Sequence, residues 1–160
     1  MAEVITGMAD ALLVVLGFLL GLVPGWWARR ARLKVHWGAL RAEIGLCRER
    51  AETYLNDGVM APLYRFPLKA YETSLPVLLA DAAVDEQAVR KLLRFYGQVE
   101  DLNRGLDNAA ELAMDNNTGP LKSEYKRNCS KAEQLFQPSV DSPNLYSNAL
   151  QCIERELPNK

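Results

Sequence analysis

Eighteen consecutive residues without a charged side chain, Ala11 to Ala28 (ALLVVLGFLLGLVPGWWA), constrain this chain more than any other feature. Asp10 precedes the run, and Arg29, Arg30, Arg32 and Lys34 follow it. As a helix rising ~1.5 Å per residue it covers about 27 Å, close to the ~30 Å hydrocarbon core of a bilayer. Apolar runs in buried helices of soluble proteins usually stop at roughly 10–14 residues. The run therefore reads as a transmembrane helix, with Trp26 and Trp27 at headgroup level and Met8 and Ala9 extending the other end. A cleaved leader needs basic residues ahead of the apolar stretch, whereas Glu3 and Asp10 stand there, so the segment is expected to be retained. The basic cluster on one flank places the N-terminus outside and the C-terminal bulk in the cytoplasm, at the inner (plasma) membrane.

Within the run, Gly17, Gly21 and Gly25 repeat at intervals of four and put three residues without side chains on one helical stripe. Such stripes let two membrane helices pack closely, which points to a homo-oligomer. Pro24 removes a backbone hydrogen bond and is expected to kink the helix. Charge is unevenly spread: residues 29–50 hold seven basic and two acidic groups, while residues 51–160 hold twelve basic and sixteen acidic ones. A basic collar beside a span suits anionic lipid at about 1 kcal/mol per cation. The acidic remainder argues against nucleic acid.

From Leu33 the apolar residues fall at Leu33, Trp37, Leu40, Ile44, Cys47, Ala51 and Tyr54, alternating 4 and 3. This spacing predicts one long helix ending near Asn56-Asp57-Gly58, its seam packing on later helices and its other faces carrying Arg41, Glu43, Arg48, Glu49, Arg50 and Glu52. A loop with Pro62 follows. Pro67 opens a helix that Pro76 should bend or break, and Asp85 with Glu86 caps the next. That helix, about Glu86 to Asp115, has the clearest pattern, through Val89, Leu92, Tyr96, Val99, Asn103, Leu106, Ala110 and Ala113. Two more are expected, one with the stripe Leu121, Tyr125, Cys129, Ala132, Leu135 and Phe136. The last has Ser142 as cap, Pro143 at its first position, and Tyr146, Leu150 and Ile153 facing inward. No period-2 run occurs, so the expected fold is all-α. Residues 1–28 form the anchor, 29–58 a stalk helix, and 59–160 a cytoplasmic domain, the whole soluble part being an antiparallel bundle of four or five helices.

No chemistry stands out. Cys47, Cys129 and Cys152 are odd in number and widely spaced, and with His36 the only histidine no metal-ligand spacing exists. His36 reads as an interfacial side chain. No glycine-rich phosphate loop, H-E-x-x-H or G-x-S-x-G is present, so no catalytic residue and no cofactor is expected. Asn103 is the one polar residue in the seam of the long helix. With Arg104 and the Tyr71-Glu72 pair it forms either a buried network that sets helix register or a small ligand cluster.

The stretches LKVHWGALRAEIGLCRERAETY, LKAYETSLPVLL and VRKLLRFYGQVEDLNRGLD resemble a broad group of small bacterial membrane-anchored helical proteins of unknown function. The resemblance covers residues 9–110 and implies a topology of one span plus a helical module. The expected role is a membrane-anchored interaction or scaffold protein that tethers or regulates a partner protein. An oligomeric pore component gated by the helical domain is one alternative, and a ligand-sensing regulatory module is another.

Overall fold

A computed structural model describes residues 2–81, 84–137 and 144–157, with side chains for residue 17 and from residue 25 onward within those ranges. Five helices and no strand occur among the described residues: α1 (Ala2–Asp57), α2 (Lys69–Ala80), α3 (Glu86–Met114), α4 (Thr118–Phe136) and α5 (Leu145–Glu156). The all-α expectation holds. The chain divides into two units, residues 1–35 and 36–160.

The first unit is the N-terminal part of α1. Among the described residues no helix is long and apolar enough to cross a membrane. Most of the Ala11–Ala28 run, Gly21 and Pro24 included, lies outside the residues whose side chains are described.

The second unit is the bundle, and α1 enters it with the face the 4-3 spacing picked out. Trp37, Leu40, Ile44, Cys47, Ala51 and Tyr54 are all buried. Fully burying a large apolar side chain contributes roughly 1.5–3 kcal/mol, so this seam is what fastens residues 36–57 to the helices that follow. Gly58, at φ 66°, ends the helix in the left-handed conformation that glycine adopts without a Cβ penalty.

The chain then runs back along α1. His36 meets Ser74, Glu43 meets Ala70 and Tyr71, Cys47 meets Pro67, and Arg50 meets Tyr64, a falling register that makes the two segments antiparallel. Pro76, expected to bend or break this segment, sits inside α2. Its missing N–H would have paired with the carbonyl of Glu72. Both residues are exposed, which leaves that carbonyl on the solvent side, and the helix stops four residues later.

α3 returns in the direction of α1, burying Leu92, Phe95, Tyr96, Val99, Leu102, Leu106 and Ala109. Its end is a Schellman turn. Asn116 takes φ 53°, its N–H bonds Ala113, and the Asn117 N–H bonds Leu112. Asp85 does not cap α3 through its side chain, which pairs instead with Arg155 at 3.3 Å.

α4 and α5 depart from the expected alternation. Phe95 faces Phe136, Asp101 pairs with Lys131, Gly105 touches Asn128 and Asp85 pairs with Arg155. Both helices therefore run antiparallel to α3, laid in series along its length rather than turning back on each other. A single asparagine joins them: Asn144 donates to the Phe136 carbonyl at 2.6 Å and accepts from Ser147 N–H at 2.6 Å, capping α5. Asn144 thus does the capping assigned to Ser142; Ser142 and Pro143 lie outside the described residues.

The inward face of α4 keeps Leu121, Ala132 and Leu135 of the apolar stripe but takes Asn128 in place of Cys129. Asn128 is fully buried and Cys129 only partly so. The bare Cα of Gly105 makes this possible, since a Cβ there would collide with Asn128 Oδ1. Gly105→Ala is expected to destabilise the bundle by about 1–3 kcal/mol through overpacking. The double variant Gly105→Ala/Asn128→Ala should recover most of that loss in a urea-unfolding cycle.

Candidate functional site

Two places concentrate polar or interfacial groups: the socket that receives α2, and the collar on α1.

The socket is built around Glu43. The seam spacing assigned it to a solvent face, yet it is 5% exposed. Its two carboxylate oxygens accept the N–H groups of Ala70 at 2.6 Å and Tyr71 at 2.9 Å. α2 has Leu68 at its N-cap and no side-chain cap of its own, so a carboxylate from another helix satisfies the orphan donors of its first turn. Charge-assisted bonds to backbone N–H are among the stronger ones, which is how a buried carboxylate is tolerated here. In sequence Glu43 falls at the 4-3 positions His36, Leu40, Glu43, Cys47, beside the buried stripe; that spacing was the available signal.

Neighbouring side chains complete the socket. Asn103 bonds the backbone of Phe66 twice, accepting its N–H at 2.8 Å and donating to its carbonyl at 3.0 Å, as a paired strand would. His36 Nδ1 meets the buried Ser74 hydroxyl at 3.1 Å, so this histidine belongs to the bundle rather than to an interfacial turn. Cys47 Sγ donates to the Pro67 carbonyl at 3.6 Å. Burial pushes the Cys47 thiol up to about 12, with Glu43 adding to the shift and Arg50 opposing it. Tyr71 stacks on Tyr96 at 4.2 Å between ring centroids. Burial, then the adjacent Glu43 carboxylate, raises the Tyr96 phenol well above its ordinary value.

The four residues read as a polar cluster thus have separate partners. Tyr71 stacks, Asn103 clamps Phe66, Glu72 is exposed beside Lys69 at 3.8 Å, and Arg104 is exposed. The buried carboxylate of the region is Glu43, not Glu72. A further polar inclusion lies between α1, α3 and α4, where the Tyr54 hydroxyl and the Asn128 amide are buried beside one another. Among the described residues no group of histidine, cysteine or carboxylate side chains is arranged to hold a metal ion.

The collar belongs to the first unit. Trp26 is 57% and Trp27 67% exposed, and Arg29, Arg30, Arg32 and Lys34 are exposed beside them. The Arg30 guanidinium lies over the Trp26 ring at 5.3 Å, one turn away. Around Gly17 and Gly25 a Cβ would meet nothing within 4 Å. The surroundings of Gly21 lie outside the described residues.

No protein-family model, no curated protein and no solved structure matches the chain.

Two outcomes follow from the socket. Glu43→Leu leaves the Ala70 and Tyr71 N–H groups without an acceptor and is expected to cost about 2–4 kcal/mol in urea unfolding. Glu43→Gln keeps one acceptor and should cost roughly half as much. The raised Cys47 thiol holds its proton more tightly folded than unfolded. Its contribution is therefore full below the ordinary value of 9.0 and is lost as pH climbs toward about 12. Cys47→Ala should flatten part of the alkaline limb of a stability-against-pH curve.

Proposed function

We propose that this protein is a membrane-anchored scaffold, whose N-terminal helix spans the inner membrane and whose helical bundle tethers or regulates a partner protein in the cytoplasm. The observation that carries the reading is the pair Trp26 and Trp27, both largely exposed and followed within the same helix by an exposed basic collar. Two adjacent exposed indoles are expensive in water and favourable at a headgroup boundary, where the ring is buried and the N–H stays wet. Arg29, Arg30, Arg32 and Lys34 beside them suit anionic lipid. The uncharged run Ala11–Ala28 supplies the length.

Self-association fits the same helix. Open space around Gly17 and Gly25 leaves room for a second backbone, and Gly21 falls between them in sequence. The bundle contributes ordered surface rather than chemistry. Its buried polar groups serve mostly to hold backbone, and the Cys47 thiol is bonded and strongly protonated.

In membrane fractionation, the full chain should pellet and resist extraction by alkaline carbonate. A variant lacking residues 2–28 should be released to the supernatant and retain a cooperative thermal transition. Gly21→Leu should leave membrane attachment intact and reduce cross-linked oligomers. Full extraction of the intact chain by carbonate would overturn the anchor.

A further inference from the structure

α2 is the helix that the bundle holds from outside. Like α5 it has twelve residues, a length that is marginal in water without help. α5 has Asn144 as its cap, Arg155 in its last turn and no proline. α2 has Leu68 at its N-cap with no side-chain bond, no basic residue in its last turn, and Pro76 inside. Its Thr73 hydroxyl bonds back to the Lys69 carbonyl at 2.8 Å, a contact that favours a bend. Its internal ion pair, Lys69–Glu72 at 3.8 Å, is exposed and adds little. Leu75 and Leu78 are its only buried apolar side chains.

The tethers of this part of the chain fall into two groups. Ahead of the helix, Arg65 bonds the Pro62 and Tyr64 carbonyls and pairs with Asp107, while Asn103 holds Phe66 by both its N–H and its carbonyl. Phe66 is itself buried, so the chain is clasped there by packing as well as by hydrogen bonds. Within the helix the tethers are mostly polar. Glu43 takes the Ala70 and Tyr71 N–H groups, His36 meets Ser74, and Tyr71 stacks on Tyr96. Glu43, His36, Ser74 and the backbone N–H groups all regain hydrogen bonds from water when α2 leaves, so breaking these contacts costs far less than unseating an apolar seam. The seam of α1 from Trp37 to Tyr54 and the buried face of α3 have no such exchange open to them.

We propose that α2 is a latch: it leaves the bundle and melts as one unit, between the clasp at Phe66 and the start of α3, while the other helices of the bundle stay packed. Release bares the Glu43 carboxylate and the face of the Tyr96 ring that Tyr71 covers. The bundle then has a closed and an open surface on this side, and access to the socket is gated by α2. The latch concerns the bundle alone and goes beyond the scaffold reading without resting on it.

Hydrogen exchange of the full chain in detergent micelles, followed by mass spectrometry over a urea series, tests this. Amides of residues 70–80 should exchange about tenfold or more faster than the slow amides of α1 and α3, with a shallower urea dependence because less surface opens. Glu43→Gln should speed exchange in residues 70–80 about tenfold. Gly105→Ala, which strains the contact of α3 with α4, should speed the slow amides of α1 and α3 but leave residues 70–80 unchanged, because the latch opens without breaking that contact. Exchange of residues 70–80 at the rate and urea dependence of the core would overturn the latch. So would an equal acceleration of both sets by Gly105→Ala, or no response of residues 70–80 to Glu43→Gln. Carbonate extraction reads the anchor separately, so failure of one proposal is not mistaken for failure of the other.

Discussion

One carboxylate buried in the bundle sets where its weakest helix lies. α2 is only twelve residues long, carries a proline inside and begins without a cap of its own. Alone, a helix of that length is marginal in water. What stabilises it comes from outside. Glu43 takes its first free N–H groups, Ser74 meets His36, and the chain just before it is held by Cys47 and Asn103. The inward side of α1 is therefore two surfaces in one, an apolar seam and a row of polar sockets one position away. Tyr71 of α2, seated there, stacks on Tyr96 of α3.

Both return segments of the bundle are broken, and asparagines repair the breaks. The chain from Gly58 to Ala80 is part extended and part helical, and Asn103 supplies Phe66 with the donor and acceptor that a regular ladder would give. The chain from Thr118 to Glu156 is two helices in series, and Asn144 bonds the last carbonyl of one while capping the other. Asn116 closes α3 in the left-handed conformation. An asparagine side chain can do this because it carries the same donor and acceptor as a peptide group. Asn128 is the exception. It is the most deeply buried of them, next to Tyr54 and against a glycine that leaves room for it.

Among the described residues, the groups whose protonation is most shifted lie inside the bundle. The groups with strongly raised proton affinity, Cys47, Tyr54 and Tyr96, are all buried, and burial is the leading cause in each case. Such shifts keep groups neutral and inert. The largest exposed apolar side chains include Trp26 and Trp27 of the collar, with Leu63 and Met114 on the bundle.

The helical class, the ends of α1 and α3, and the inward seam Trp37 to Tyr54 were legible in the chain, because apolar spacing of 3 and 4 and the turn residues Gly58 and Asn116 are local signals. The partners of polar residues were not. Glu43 looked like one more surface charge, since nothing within a helical turn of it shows that another helix will end against its carboxylate. Asn103 was visible as an anomaly, but its partner is a backbone thirty-seven residues away. The buried place of Asn128 depends on a glycine in a different helix. That α4 and α5 lie end to end was equally hidden, because a short connection fixes distance and not direction. Local pattern decides which residues face inward. Which inward polar group meets which backbone is decided only when the helices pack, because those bonds form across the interfaces and not along the chain.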